Sequence, residues 1–107
     1  MSAVDQRRCV RFFVSGHVQG VFFRKYTKLE ADRLGLSGWV RNIRDDGNRV
    51  ETVACGSSEQ LQEFHAFLEK GSPKSTVTAV ERIELPADHR DSLAVRKSLE
   101  FLVRATK

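Results

Sequence analysis

The strongest constraint on the fold of this chain is a glycine-bracketed loop that joins an alternating segment to an amphipathic one. Apolar and other side chains alternate over residues 8–15, which is typical of a half-buried β-strand. Gly16 and Gly20 bracket the loop, and small or apolar residues then recur at helical spacing over residues 23–34, up to Gly35. The sequence therefore predicts a strand that turns tightly into a helix.

Two strand-like runs follow the first helix. Residues 39–42 and 50–55 have the composition of β-strands, and the segment 45–48 between them is rich in residues that form turns. Because the two runs are separated by a short turn, the sequence predicts a β-hairpin here.

A second helix is predicted over residues 58–70. Ser57 and Gln60 have the spacing of a capping box, and an apolar stripe follows them. Residues 77–85 then have the composition of a fourth strand.

The predicted elements follow the order βαββαβ, with residues 86–97 as a loop and residues 99–104 as an added edge strand. Two helices are too few for a doubly wound parallel sheet. The order therefore favours an α+β, ferredoxin-like sandwich, in which an antiparallel sheet carries both helices on one face. A chain of 107 residues supplies one hydrophobic core, so we expect residues 1–107 to form a single domain with residues 1–7 flexible.

The composition favours anionic partners without choosing among phosphates, nucleic acids and membranes. The formal net charge is +4, and no apolar run suits a secretory signal or a membrane span. Two cysteines and three histidines lack the spacing of metal ligands. We therefore expect a cytoplasmic protein with no metal, no cofactor and no membrane partner, and the absence of an apolar seam favours a monomer.

The loop has the properties of an anion site. Since it runs from a strand into a helix N-terminus, its backbone N–H groups should surround one concavity. Arg24 lies in the first helical turn, leans toward the helix N-terminus and can bind phosphate through two hydrogen bonds. We expect a substrate phosphoryl group, or inorganic phosphate or sulfate, to bind Arg24 and the backbone of Gly16, His17, Val18, Gln19, Gly20, Val21 and Phe22.

Asn42 is the candidate for positioning water. It ends the second predicted strand, and in the expected topology the first two strands are parallel with the third between them, so Asn42 and the loop lie at the same sheet edge. An amide donates and accepts hydrogen bonds but is not a base at neutral pH. Asn42 is therefore expected to orient an attacking water rather than to deprotonate it.

Two segments of the chain resemble the paired signatures of the acylphosphatase family. They are residues 16–24, Gly-His-Val-Gln-Gly-Val-Phe-Phe-Arg, and residues 34–42, Leu-Gly-Leu-Ser-Gly-Trp-Val-Arg-Asn. The likeness covers about residues 8–85, and the hairpin turn is slightly longer than is usual in the family.

This resemblance implies a metal-free acylphosphatase with Arg24 and Asn42 as its catalytic residues. The loop backbone and Arg24 would hold the phosphoryl group, and Asn42 would position the water. An acyl phosphate already carries a good leaving group, so positioning and charge stabilisation suffice for direct hydrolysis to carboxylate and phosphate, without a covalent enzyme intermediate.

Three alternatives involve other chemistry. A ferredoxin-like module could bind RNA through its sheet, but the strands lack the aromatic RNP pattern, so no nucleic-acid partner is expected. A regulatory domain could bind phosphate without turnover, against which the presence of both Arg24 and Asn42 argues. His17 could act as a nucleophile, but the loop offers it no orienting partner.

The two cysteines allow two states. Antiparallel pairing of the first and third strands would bring Cys9 and Cys55 together, so a disulfide is geometrically allowed. A reducing cytoplasm favours free thiols instead.

Overall fold

The computed structural model describes residues 7–44, 47–98 and 100–107, which form five strands and three helices. Their order confirms the predicted βαββαβ arrangement and adds a helix and a strand after it. The elements are β1 (Arg8–His17), α1 (Phe23–Leu34), β2 (Ser37–Ile43), β3 (Arg49–Gly56), α2 (Ser58–Lys70), β4 (Thr76–Leu85), α3 (Arg90–Ser98) and β5 (Phe101–Val103).

The sheet has the strand order β4-β1-β3-β2-β5. Because β3 pairs antiparallel with both β1 and β2, those two strands run parallel to each other and end at the same sheet edge, as predicted. The predicted edge strand is present as β5, which spans Phe101–Val103, while Leu99 lies outside the described residues. The four strands β1–β4 pair antiparallel throughout, which confirms the prediction for them. The added edge strand β5 pairs parallel with β2, so the five-stranded sheet is mixed.

The main core lies between one face of the sheet and the helices α1 and α2. Alternate residues of β1 point into it, and Phe12 is completely buried there. Phe64 of α2 packs edge to face against Phe12 and Phe101, with ring centroids 5.8 Å and 5.9 Å away. The aromatic contacts thus join α2 to the interior strand β1 and to the edge strand β5.

α3 packs on the other face of the sheet, against β2 and β3, and most of it falls in the segment predicted to be a loop. The loop prediction, which covered residues 86–97, is wrong for residues 90–97. Val95 of α3 is 3% exposed and packs against a small cluster that includes Trp39 and Val53.

Asp91 of α3 also forms an ion pair with Arg11 of β1, and the Ser92 hydroxyl donates to the carbonyl oxygen of Pro86 at 2.9 Å. These contacts do not form an amphipathic stripe, so the polar sequence of α3 did not predict a helix.

Cys9 and Cys55 face each other across β1 and β3 and form a disulfide. Both are buried within the cluster beneath α3. Of the two states that the sequence allowed, the structure therefore has the bridge.

The structure also bears on the chain ends and the hairpin turn. Residues 1–6 of the predicted flexible terminus lie outside the described residues, whereas the Arg7 guanidinium donates to Ser37 Oγ at 2.7 Å. Asp45 and Asp46 of the predicted turn also lie outside them. Among the described helices, none has the length and apolar composition needed to cross a membrane.

Candidate active site

The loop leaves β1 through an irregularity at Gly16. The pairing of β1 with β4 shifts register between Ser15 and Gly16, and the φ angle of Gly16 is 126°. A Cβ atom at this position would lie 2.1 Å from the carbonyl oxygen of Thr76, which is far inside contact distance. Only glycine therefore fits where the strand bends into the loop.

The loop ends at a helix N-terminus that is open to an anion. Phe22 is the N-cap residue, and its side chain makes no capping hydrogen bond. The first turn of α1 holds no acidic residue, and the first helical hydrogen bond runs from the Tyr26 N–H to the Phe22 carbonyl oxygen at 3.1 Å. The preceding N–H groups have no acceptor within the helix, so they and the helix dipole favour a bound anion.

Gln19 attaches the loop to the sheet. Its side-chain amide donates to the carbonyl oxygens of Ile43 and Arg49, each at 3.1 Å. Those residues end β2 and begin β3, so one side chain bridges the loop to both strands. The side chain of Gln19 is thus a structural tie in this structure.

Arg24 lies at the mouth of the loop and is held by the C-terminal segment. Its Nη1 donates to the carbonyl oxygen of Arg104 at 3.0 Å. The Arg104 N–H in turn donates to the carbonyl oxygen of Val40 at 2.8 Å, which extends the pairing of β5 with β2. A guanidinium has five donor hydrogens, so Arg24 keeps several for a ligand while it holds Arg104.

Asn42 is half-buried near the end of β2. Among the described residues, its side-chain Oδ1 atom is buried without a hydrogen-bond partner, while its backbone oxygen accepts from the Lys107 N–H at 3.0 Å. A buried amide oxygen without a partner costs about 1–3 kcal/mol. The atom is therefore an acceptor to which a water or ligand can donate.

One cavity of about 560 Å³ brings these features together. Of the residues predicted from the sequence, it is lined by Val18, Gly20, Phe22, Arg24 and Asn42. Four other predicted loop residues are not part of its lining, namely Gly16, His17, Gln19 and Val21. The exposed His17 pairs with Thr76 of β4, and the half-buried Val21 packs against the core.

Sequence reasoning missed part of the lining, which also includes Phe23, Lys25, Lys28, Leu29 and Val103. Lys28 follows Arg24 by one helical turn, and this spacing could have indicated a second cation on the same face. Its Nζ atom donates to Asp32 and to the carbonyl oxygen of Phe101, both at 2.9 Å. Val103 is distant in sequence, and no local pattern predicted it.

The chemistry available to the cavity follows from its polar side chains. Within the described part of the chain, the lining carries an arginine, two lysines and one asparagine, and neither a carboxylate nor an imidazole. Such a site can bind an anion and orient water beside it, whereas its described lining lacks the carboxylate or imidazole that most often serves as a general base.

The sequence matches known proteins along most of its length. The family model described as Acylphosphatase matches residues 10–94. The acylphosphatase of Rubrobacter xylanophilus is 46% identical over 87 residues, which cover 81% of this chain and 77% of the relative. The acylphosphatase of Alkalilimnicola ehrlichii is 52% identical over 71 residues, covering 66% of this chain and 78% of the relative.

Solved structures agree with the sequence matches. An acylphosphatase from Coxiella burnetii superposes with a TM-score of 0.76 at 32% identity, covering 97% of this chain and 99% of its own. The acylphosphatase from Bacillus subtilis gives a TM-score of 0.75 at 38% identity, covering 91% of this chain and 98% of its own. The family match, the strand order and the shared sequence lead to one conclusion: the chain belongs to the acylphosphatase family of enzymes.

Proposed function

We propose that the protein hydrolyses the carboxyl–phosphate bond of small acyl phosphates to carboxylate and inorganic phosphate. Water attacks the phosphorus atom directly, and no covalent enzyme intermediate forms. The observation that carries this proposal is the buried, unpartnered Oδ1 atom of Asn42 in the same cavity as Arg24 and the open N-terminus of α1. Family membership supports the same activity.

The phosphoryl group binds to the loop and to Arg24. Backbone N–H groups at the start of α1 donate to the phosphoryl oxygens, and the helix dipole adds a fixed positive potential. Arg24 supplies a full positive charge and donors that remain beside its bond to Arg104. These donors stabilise the charge on the equatorial oxygens as the bond to the carboxylate breaks.

Asn42 orients the attacking water. The water donates one hydrogen to Oδ1, which turns an oxygen lone pair toward phosphorus in line with the leaving carboxylate. An amide oxygen does not take the proton, so the proton passes to a phosphoryl oxygen. In this balance, an acyl phosphate dianion and one water give a carboxylate monoanion and dihydrogen phosphate, with the phosphorus–oxygen bond of the carboxylate broken.

Hydrolysis in ¹⁸O-labelled water with a chelator present tests the reaction. We expect turnover of acetyl phosphate to survive chelation, and we expect the label to appear in phosphate rather than in acetate. Arg24→Gln should abolish most turnover. The control is Arg33→Gln, which should leave turnover unchanged because Arg33 lies on the same helix but outside the cavity, where it pairs with Glu30. Label in acetate would contradict attack at phosphorus.

Protein mass after rapid quenching tests for a covalent intermediate. We expect no phosphoryl adduct at His17 or elsewhere, because a water attacks phosphorus in a single step. An adduct that forms and decays during turnover would contradict direct hydrolysis.

The alternatives have less support. RNA binding through the sheet needs an open sheet face, but α1 and α2 cover one face and α3 packs on the other. A regulatory binder would hold acyl phosphate without cleaving it, so the hydrolysis assay distinguishes it directly.

A further inference from the structure

Three exposed apolar side chains border the cavity beyond the residues assigned to phosphate and water. Phe22 is 73% exposed, Leu29 is 53% exposed and Val103 is 45% exposed. They come from the loop, from α1 and from β5, and they line one cavity together. We refer to these three residues as the apolar wall.

Phe22 has a backbone conformation that is unfavourable for phenylalanine, and its side chain lies outside the core. Its φ angle is 59°, in the left-handed region that glycine and asparagine adopt with less strain. A side chain that is mostly exposed gains little from burial in return. A strained residue with an exposed aromatic ring at a cavity indicates contact with a ligand.

The apolar wall is continuous with the proposed phosphate site. Phe22 is the N-cap residue of the helix whose N-terminus would hold the phosphoryl group. Val103 precedes Arg104, whose carbonyl oxygen binds Arg24. A substrate whose phosphoryl group lies at Arg24 therefore extends its acyl group into space bordered by the wall.

The size of the cavity also exceeds the needs of the smallest acyl phosphates. Its volume of about 560 Å³ falls within the range of roughly 300–1,000 Å³ that holds drug-sized ligands. Acetyl phosphate has one methyl group to offer to an apolar surface, so it would leave the wall in contact with water.

Resting on the proposed function, we infer that the apolar wall binds the acyl group and that the preferred substrates carry an apolar acyl group longer than acetyl. Each methylene that leaves water for the wall increases transition-state binding. Full burial of a methylene corresponds to about a fourfold gain in kcat/KM. An open wall that covers half of the methylene corresponds to about a twofold gain in kcat/KM.

The test is a series of acetyl, butyryl and hexanoyl phosphates. Their leaving carboxylates have nearly the same basicity, so differences in kcat/KM report binding of the chain rather than leaving-group ability. For the wild-type protein we expect kcat/KM to rise roughly two- to fourfold per methylene. Leu29→Gln and Val103→Thr should flatten this rise while turnover of acetyl phosphate persists.

A matched control is Leu93→Gln. Leu93 is 50% exposed on α3 and is absent from the cavity lining, so its substitution makes the same chemical change at similar exposure on another helix. We expect it to leave the chain-length dependence at the wild-type value. An equal flattening by Leu93→Gln and Leu29→Gln would overturn the role of the wall.

Succinyl phosphate distinguishes a subsite that binds apolar groups from a subsite that binds anionic groups. It has the chain length of butyryl phosphate but ends in a carboxylate, which Lys25 in the same cavity could attract. We expect butyryl phosphate to be the better substrate, and a preference for succinyl phosphate would overturn the inference.

Two further outcomes distinguish this inference from the proposed function. Hydrolysis of acetyl phosphate with no gain along the series would overturn the apolar subsite and leave acyl phosphate hydrolysis intact. Failure to hydrolyse any member of the series would contradict both.

Discussion

The side-chain amide of Gln19 donates to the carbonyl oxygen of Ile43, the residue that follows Asn42, at 3.1 Å. This bond joins the proposed phosphate loop to the strand that carries the proposed water-positioning residue. A second bond from the same nitrogen reaches the Arg49 carbonyl oxygen. One side chain therefore ties the loop to the adjoining ends of both strands.

We expect Gln19→Leu to lower both stability and kcat. The change leaves two partly buried carbonyl oxygens without their donor, which should reduce the free energy of unfolding by about 1–3 kcal/mol. Because loop and strand lose their tie, kcat should fall more than KM rises. Urea unfolding and steady-state kinetics measure the two effects, and the exposed Gln62→Leu on α2 is the control. Equal behaviour of the two variants would contradict the bridging role.

The two loop glycines should respond differently to alanine. At Gly16 a Cβ atom would lie 2.1 Å from the Thr76 carbonyl oxygen, so β1 and β4 must separate. We expect Gly16→Ala to cost more than about 3 kcal/mol of unfolding free energy. Gly20 has φ 74° and no heavy atom within 4 Å of a Cβ position, so Gly20→Ala should cost only about 1–2 kcal/mol. Denaturant unfolding of both variants compares these costs, and a larger loss at Gly20 would be inconsistent with the described loop.

The disulfide should stabilise the fold without serving the cavity. Cys9 and Cys55 are 46 positions apart, and closing a loop of that length corresponds to about 4 kcal/mol in the chain-entropy description. Reduction, or the double change Cys9→Ala and Cys55→Ala, should lower the unfolding free energy by about 2–4 kcal/mol. Turnover below the unfolding transition should change little, since Cys9 and the loop lie near opposite ends of β1.

Thiol labelling provides the control for that experiment. Without reductant, alkylation should add no label to the intact protein, and after reduction it should add two. Reductant should have no effect on the stability of the double variant. Uptake of two labels without reduction would contradict the bridge.

Glu51 should be the costliest carboxylate to remove from the sheet. It is 6% exposed and forms ion pairs with Arg11 at 3.1 Å and Arg41 at 2.8 Å. Glu51→Ala removes the buried partner of Arg41 and one of the two partners of Arg11, which keeps its ion pair with Asp91. We therefore expect a loss of about 3 kcal/mol, at the lower end of the range for breaking a buried ion pair.

The control is Glu81→Ala, which removes a 62% exposed side chain from its 3.8 Å pair with Arg49 and should cost less than about 1 kcal/mol. Thermal or urea unfolding of both variants tests the difference.

Local sequence patterns predicted the elements whose hydrophobic face is wide. α1 and α2 each bury residues at helical spacing, and β1 buries alternate residues, so each pattern reflects a large buried surface. α3 is short and buries Ser92 and Val95 against the sheet. This helix depends on tertiary contact with the cluster around Trp39, and a local sequence pattern does not report such a contact.

The candidate site could be predicted from the sequence where its residues belong to local motifs. The loop, Arg24 and Asn42 carry local signals, and the hairpin topology follows from short connections. The contact of Arg24 with the Arg104 carbonyl oxygen joins residues 80 positions apart. Val103 likewise enters the cavity only because β5 pairs with β2, so no local motif predicted either contribution from the C-terminal segment.

The most direct test of the proposed mechanism is the effect of Asn42→Ala on turnover and on phosphate binding, measured together. Loss of the Oδ1 acceptor should lower kcat for acetyl phosphate by at least about 100-fold. Inhibition by inorganic phosphate should persist at nearly wild-type affinity, whereas Arg24→Gln should weaken that inhibition. Undiminished turnover by Asn42→Ala, with phosphate inhibition intact, would contradict the assignment of the attacking water to Asn42.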